Sequence, residues 1–239
     1  MKNKLIGLYG SFLLNKIVII SIILSLLLEI IIFILIANES NNKPSYLYEY
    51  EFIHNNYFRL AYFIIAIFNS VIISFISITY TSLAVEFDIL FISLNKKYKI
   101  AIIKVICGLF LMIITNFIEF LIINIIAIAY YDYYSFKIAD LFNIFEALIA
   151  SIILYLLTLL INTIINQIFI PLLIMLLNVI INIICNNITH FKDLYKNLFP
   201  YPEYNTNIND NIGSFIGIIW LILLLFSYLL SYEIKDIKY

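Results

Sequence analysis

A chain of 239 residues that is 64% hydrophobic and 12% charged has about half the charged residues that dress a soluble domain of its size, roughly a quarter of the total. Apolar runs long enough to cross roughly 30 Å of hydrocarbon recur along it, which excludes a soluble globular protein and leaves an all-α membrane protein as the expected fold class. The formal net charge of −1 says nothing for a nucleic-acid partner.

The first sixteen residues, MKNKLIGLYGSFLLNK, set Leu5, Leu8, Tyr9, Phe12 and Leu13 on one helical face, with Lys2, Lys4 and Lys16 on the polar side. This spacing predicts an amphipathic helix lying in the membrane interface, or else the ragged start of the first span. Six transmembrane helices follow, expected near 17–37, 59–84, 101–129, 141–162, 166–186 and 213–232, all within a single transmembrane domain over 1–239. The first run is too long for a signal peptide and has no small-x-small cleavage site, so it is expected to stay as an anchor. The third run is long enough to tilt or to extend past the bilayer. Between Glu146 and Lys192 there is no charge, a distance too long for one crossing, and the polar turn NTIINQ at 162–167 divides it. Cys107 and Cys185 then fall near opposite membrane faces, where no disulfide is expected.

Lysine placement sets the orientation. With the N-terminus inside, Lys2, Lys4, Lys16, Lys96, Lys97, Lys99, Lys104, Lys235 and Lys238 are cytoplasmic. Lys43, Arg59, Lys137, Lys192 and Lys196 are then outside, spread over longer connectors. Both termini are therefore expected in the cytoplasm, and 187–212 is an extracellular connector. The tyrosines of the outer connectors are expected at headgroup level.

Within the spans, polar residues recur at helical intervals. They are Ser21, Ser25 and Glu29 in the first, and Ser70, Ser74, Ser77 and Thr81 in the second. The third has Thr115, Asn116 and Glu119, the fourth Ser151, Tyr155, Thr158 and Asn162, and the fifth Asn178, Asn182 and Asn186. Such stripes face other helices or a water path. The candidate translocation path comprises Glu29, Ser70, Ser74, Ser77, Glu119, Asn178 and Asn182. A carboxylate at the position of Glu29, near the middle of its span, costs about 2.5–3.5 kcal/mol on insertion scales, so it is protonated, paired or hydrated. Glu119 and Glu146 are expected nearer the outer side. Pro171 is expected to kink the fifth span.

Catalytic chemistry is not in view. None of the five glycines is followed by Lys, so no phosphate loop exists. His54 and His190 fall in outer connectors away from both cysteines, which leaves no metal-site pattern, and no G-x-S-x-G elbow is present. Neither a catalytic residue nor a metal or cofactor is expected in this chain.

The connector between the second and third spans stands out. Glu86 and Asp88 precede the apolar run ILFISL, followed by Lys96, Lys97 and Lys99, with Lys104 opening the next span. A topology signal accounts for the lysines alone. The whole pattern predicts a short amphipathic helix over 86–99 on the cytoplasmic face, with Phe91 and Leu94 on its apolar side, suited to a groove on a soluble partner.

The stretch D88-I-L-F-I-S-L-N-K-K-Y-K-I-A-I-I-K104 resembles the segment D-x-L-L-x-S-L-P-[IV]-x-R-x-x-I-[VI]-x-x-K between the second and third spans of ABC-2 type transporter permeases. Asn95 stands where Pro is usual, and the stretch is one residue shorter. The layout looks most similar to the small bacterial permeases of lantibiotic-immunity and phenol-soluble-modulin exporters. That resemblance implies a permease subunit in the bacterial cytoplasmic membrane, moving an amphipathic peptide or lipid-like substrate. Its partners would be soluble ATP-binding cassette ATPase subunits, which hold the ATP and Mg, a second permease copy or paralogue, and membrane lipid. ATPase coupling would fall to Glu86, Asp88, Phe91, Leu94, Lys96, Lys97, Lys99 and Lys104. A proton-coupled secondary carrier working through Glu29 or Glu119, and a non-transporting membrane scaffold, are the alternatives.

Overall fold

The computed structural model describes residues 16–41, 53, 57–83, 97–131, 134, 136, 138–165, 167, 169–187 and 211–234. Six helices run through them: α1 Lys16–Asn41, α2 Arg59–Leu83, α3 Lys97–Tyr130, α4 Ile138–Ile165, α5 Ile170–Asn187 and α6 Asn211–Ile234. There is no strand among the described residues. The reason is elementary: an apolar segment in hydrocarbon must satisfy its backbone internally, and the helix does so within one segment. Isoleucine, a mediocre helix former in water, is no obstacle there.

Five of the helices are long and apolar enough to cross a membrane, over Val18–Glu39, Leu60–Ile78, Lys104–Tyr130, Ile144–Ile165 and Gly217–Ile234. The 34 residues of α3 extend about 51 Å at 1.5 Å per residue, well beyond the hydrocarbon, and the helix begins at Lys97 rather than at 101. Lys97 and Lys99 thus belong to its first turn. The interfacial helix expected over 1–16 and the coupling residues Glu86, Asp88, Phe91, Leu94 and Lys96 lie outside the described residues, Lys16 excepted.

The polar turn at 162–167 does divide the uncharged stretch, since α4 ends at Ile165 and α5 starts at Ile170. Pro171, however, does not kink a span. It sits in the first turn of α5, where its missing N–H is not needed and no preceding turn clashes with its ring, while the Ile170 N–H bonds back to the Gln167 carbonyl at 3.4 Å.

Helix α4 is the hub, packing along α2 and α6 and also touching α3 and α5, whereas α1 leans mainly on α2 and α3. Two large apolar clusters result, beside a small one of Val18 and Ile76. One gathers Phe33, Tyr57, Phe58, Ile65, Phe120 and Ala147 at what we call the tyrosine end. The other gathers Ile73, Val105, Met112, Leu156, Leu224 and Tyr228 toward the lysine end, where Lys104 lies. Ile20, Leu24, Leu27, Ile31 and Leu35 leave the outer face of α1 exposed, the surface expected of a helix against lipid.

The tyrosine end departs from expectation. Tyr57, Tyr131 and Tyr134 fold inward and are buried instead of standing among headgroups. Tyr57 donates to the Ile123 carbonyl at 3.1 Å, Tyr131 to the Ala37 carbonyl at 3.4 Å, and Tyr134 to Asn124 Oδ1. The Tyr57 ring meets Phe58 edge-on with centroids 5.1 Å apart, the Tyr134 ring lies tilted 5.2 Å from Phe58, and Tyr131 lies 5.8 Å from Tyr57. Each phenol has found a carbonyl within the protein, which removes the reason for its tip to seek water.

Candidate functional site

Between the two apolar clusters lies a polar layer. Glu29 sits midway along Val18–Glu39, and Asn69 sits midway along Leu60–Ile78. Glu119 is one residue before Phe120 of the tyrosine-end cluster and seven after Met112 of the lysine-end cluster. Glu29 is 0% exposed, Glu119 1% and Asn69 3%, so all three are sealed from lipid and bulk water alike. Glu119 is thus far from the wetted outer position expected for it.

The layer is assembled from three helices. On α1, Ser25 lies one turn before Glu29 and donates its hydroxyl to Oε1 at 2.8 Å. On α2, Asn69 donates its amide to Glu119 Oε2 on α3. The carboxyls of Glu29 and Glu119 are neighbours where α1 packs on α3. The i, i+4 spacing of Ser25 and Glu29 puts both on the face turned to α3, because one turn is 3.6 residues. Two unit charges at about 4 Å repel by about 4 kcal/mol at an effective dielectric constant near 20, so a doubly ionised pair is costly here.

A second polar layer crosses nearer the lysine end. The Tyr155 hydroxyl donates to the Lys104 carbonyl at 3.2 Å and lies 3.2 Å from Ser77 Oγ, which supplies the donor to it. Gly108 is required by this contact. A Cβ there would lie 2.2 Å from the Tyr155 hydroxyl oxygen and 2.4 Å from the ring carbon bearing it. Lys104 is buried, bonds the Tyr232 hydroxyl at 3.1 Å and lies 5.1 Å from the centre of that ring, a cation–π arrangement. Its ammonium therefore faces α6. Among the expected coupling residues it is the one whose side-chain surroundings are described.

The other stripes do less than their spacing promised. Ser70 bonds the Ile67 carbonyl at 2.8 Å, Ser151 the Ala147 carbonyl at 2.8 Å and Thr158 the Leu154 carbonyl at 2.6 Å. These hydroxyls are satisfied by their own helix, a common solution in apolar surroundings. Thr115 and Asn116 likewise turn back on Met112, at 3.2 Å and 2.9 Å. Ser74 is fully buried, and its hydroxyl has no hydrogen-bond partner. Asn178 and Asn182 lie on α5, but their side chains are outside the described residues, as is that of Thr81. Glu146 is partly exposed at the tyrosine end of α4.

Of the candidate path residues, then, Glu29 and Glu119 come together, Ser77 joins the second layer, and Ser70 and Ser74 occupy α2 between them. Asn69, Gly108 and Tyr232 were not singled out in the sequence. Asn69 carried a usable signal, being an amide in the middle of an apolar run, and so did Gly108, the lone glycine inside the third span. Tyr232 resembled any aromatic at a span end. No group of three or more His, Cys, Asp or Glu fit for a metal occurs among the described residues. No protein family, curated protein or solved structure matches the chain.

Proposed function

We propose that this chain is the permease subunit of an ATP-driven exporter of the ABC-2 type, with α5 as a sixth crossing and both termini in the cytoplasm of a bacterial cell. The observation that carries the reading is the connector 84–96 and its continuation to Lys104, with its acids, aliphatic run and lysine cluster. It joins α2 and α3, two helices in mutual contact. A partner that pushes on this connector pushes on both helices at once, and also on α1 through Glu119, beside Glu29, and on α4 through Ser77–Tyr155. Two copies, or this chain with a paralogue, would bind two soluble ATPase subunits holding ATP and Mg. Differential binding of the two ATPase states would supply the free energy. An amphipathic peptide or lipid-like molecule would pass between the protomers. The chain itself catalyses no covalent step.

The test is purification from native membranes in mild detergent, followed by identification of the co-purifying chains. A phosphate-loop ATPase is expected with the wild type and is expected to be lost when Lys96, Lys97 and Lys99 are all changed to Glu. Wild-type ATPase binding, orientation and transport in that triple variant would refute the coupling assignment.

A second reading, a proton-coupled carrier, is favoured by one observation: the buried carboxyls of Glu29 and Glu119 meet at mid-span. It calls for transport driven by a pH gradient in vesicles containing no ATPase, abolished by Glu29→Gln. The exporter reading calls for no such transport.

A further inference from the structure

Glu29 and Glu119 present four carboxyl oxygens, and two of them have donors: Ser25 to Glu29 Oε1 and Asn69 to Glu119 Oε2. The other two, Glu29 Oε2 and Glu119 Oε1, are buried without any hydrogen-bond partner. Buried polar atoms are nearly always paired, and here the orphans belong to two carboxyls that lie against each other. Among the described residues none donates a hydrogen bond to them. Among the described residues the hydrogen-bond donors to the pair are Ser25 and Asn69.

Other titratable groups on the helices packed against α1 and α3 lie at different levels. Tyr62 on α2 belongs to the tyrosine-end cluster, as does Ala147, the α4 neighbour of Glu146. Tyr155 on α4 and Tyr228 and Tyr232 on α6 belong to the lysine-end cluster. Lys104 stands fifteen residues before Glu119 on the same helix, about 22 Å away at 1.5 Å per residue, and is turned to Tyr232. Cys107 is three residues beyond Lys104 and likewise distant. A proton held between the two carboxyls would join them as O–H···O and give the orphan oxygens a partner.

We propose that Glu29 and Glu119 form a one-proton site, and that the shared proton is the latch holding α1 against α2 and α3. The attachment of α1 makes this consequential. Its buried side chains form a single file of Val18, Ser25, Glu29, Phe33 and Ala37, and between apolar helices in lipid no hydrophobic force draws the surfaces together. With the proton in place, one short hydrogen bond closes the middle of that file. Without it, two carboxylates face each other in a dry layer, and separation of α1, with entry of water, relieves them. The site binds a proton at mid-membrane and answers its loss by moving a helix. This holds whether or not an ATPase is the partner, and its readouts are physical rather than transport rates.

The experiment uses the full chain in lipid nanodiscs, with both cysteines replaced and spin labels at the lipid-facing positions Leu24 and Phe117, read together with the infrared carbonyl band of protonated carboxylic acids. In the wild type the band is expected at neutral pH. As it disappears with rising pH, the distance between the labels is expected to lengthen. Glu29→Gln and Glu119→Gln each put an amide N–H in place of the proton, so each is expected to lose all of the band due to the pair yet keep the short distance at every pH. Glu146→Gln is expected to leave the part of the band due to the pair unchanged. Glu29→Leu, which deletes the bridge, is expected to give the long distance throughout. A pair band only halved in either single Gln variant would mean two independent acids and overturn the shared proton. A short distance in Glu29→Leu, or a wild-type distance that stays fixed while the band vanishes, would overturn the latch.

Discussion

Helices α1 and α4 are both apolar enough to cross a membrane, yet they are held by different means. In the α4 span half of the residues are buried inside the protein, against 11% in the α1 span. Helix α4 touches four others and contributes Ile149, Ile153, Tyr155, Leu156 and Leu159 to one continuous cluster. Helix α1 contributes Phe33 and Ala37 at one end, Val18 at the other, and a polar pair between. In water the apolar surface of α1 would be driven onto the bundle. In lipid it gains nothing by that, so packing and a few hydrogen bonds decide. The comparison teaches that α4 is a structural axis and α1 an element whose docking can be switched.

Truncating one large buried side chain on each helix tests that contrast most severely. Tyr155 and Phe33 are both fully buried, and large-to-small changes at such aromatic sites cost about 3–5 kcal/mol. Tyr155→Ala is expected to take the full amount from the whole bundle, read as a lowered temperature of unfolding in nanodiscs by every probe together. Phe33→Ala is expected to free α1 alone, seen as faster proteolysis or label mobility on α1 with the other helices unchanged. If Phe33→Ala unfolded the bundle as a unit, the division into axis and switch would be wrong.

A smaller effect, confined to the axis, is expected from Gly108→Ala. The new methyl would overlap the Tyr155 hydroxyl oxygen at 2.2 Å, and two ring carbons lie at 2.4 and 2.8 Å. Overpacking of this kind costs about 1–3 kcal/mol. Because the ring itself collides, Tyr155→Phe is expected to leave most of the loss in place in the double variant. Full rescue by Tyr155→Phe would show that the clash is with the hydroxyl only and that the ring moves freely.

Much of the fold was legible in the sequence because hydrocarbon leaves one solution per apolar run. The observed α2, Arg59–Leu83, and α6, Asn211–Ile234, lie within two residues of the expected 59–84 and 213–232. The break after α4 was legible from NTIINQ for the same reason. Where reading failed, the missing information was a partner. The interval from Ser25 to Glu29 shows which face is polar, but not that the face meets Glu119 ninety residues later. Lys104 counts in sequence as one more charge of a cytoplasmic connector, yet its ammonium turns to Tyr232, 128 residues on. Ser151 and Thr158 form a stripe by spacing, and only the structure shows that each hydroxyl is spent on its own helix.

The tyrosine end, where α1 meets α2 and α3, sharpens the comparison by the smallest effect. Tyr57 is buried, and its hydroxyl holds the Ile123 carbonyl at 3.1 Å. Burial, and after it the nearby phenols of Tyr131 and Tyr134, push its ionisation well above the usual range. The fold therefore favours the neutral phenol, whereas an unfolded chain ionises it near pH 10, the ordinary tyrosine value of about 10. Stability from Tyr57 is then complete below that pH and is lost as pH rises through it toward the folded value. Tyr57→Phe is expected to cost about 1 kcal/mol at neutral pH, the worth of one hydrogen bond. Thermal unfolding of both forms across the alkaline range should show this difference shrinking and then changing sign, since Phe has nothing to ionise. A difference constant with pH would mean that Tyr57 reaches water in the folded chain. In that case the tyrosine end is as loosely closed as the α1 file below it.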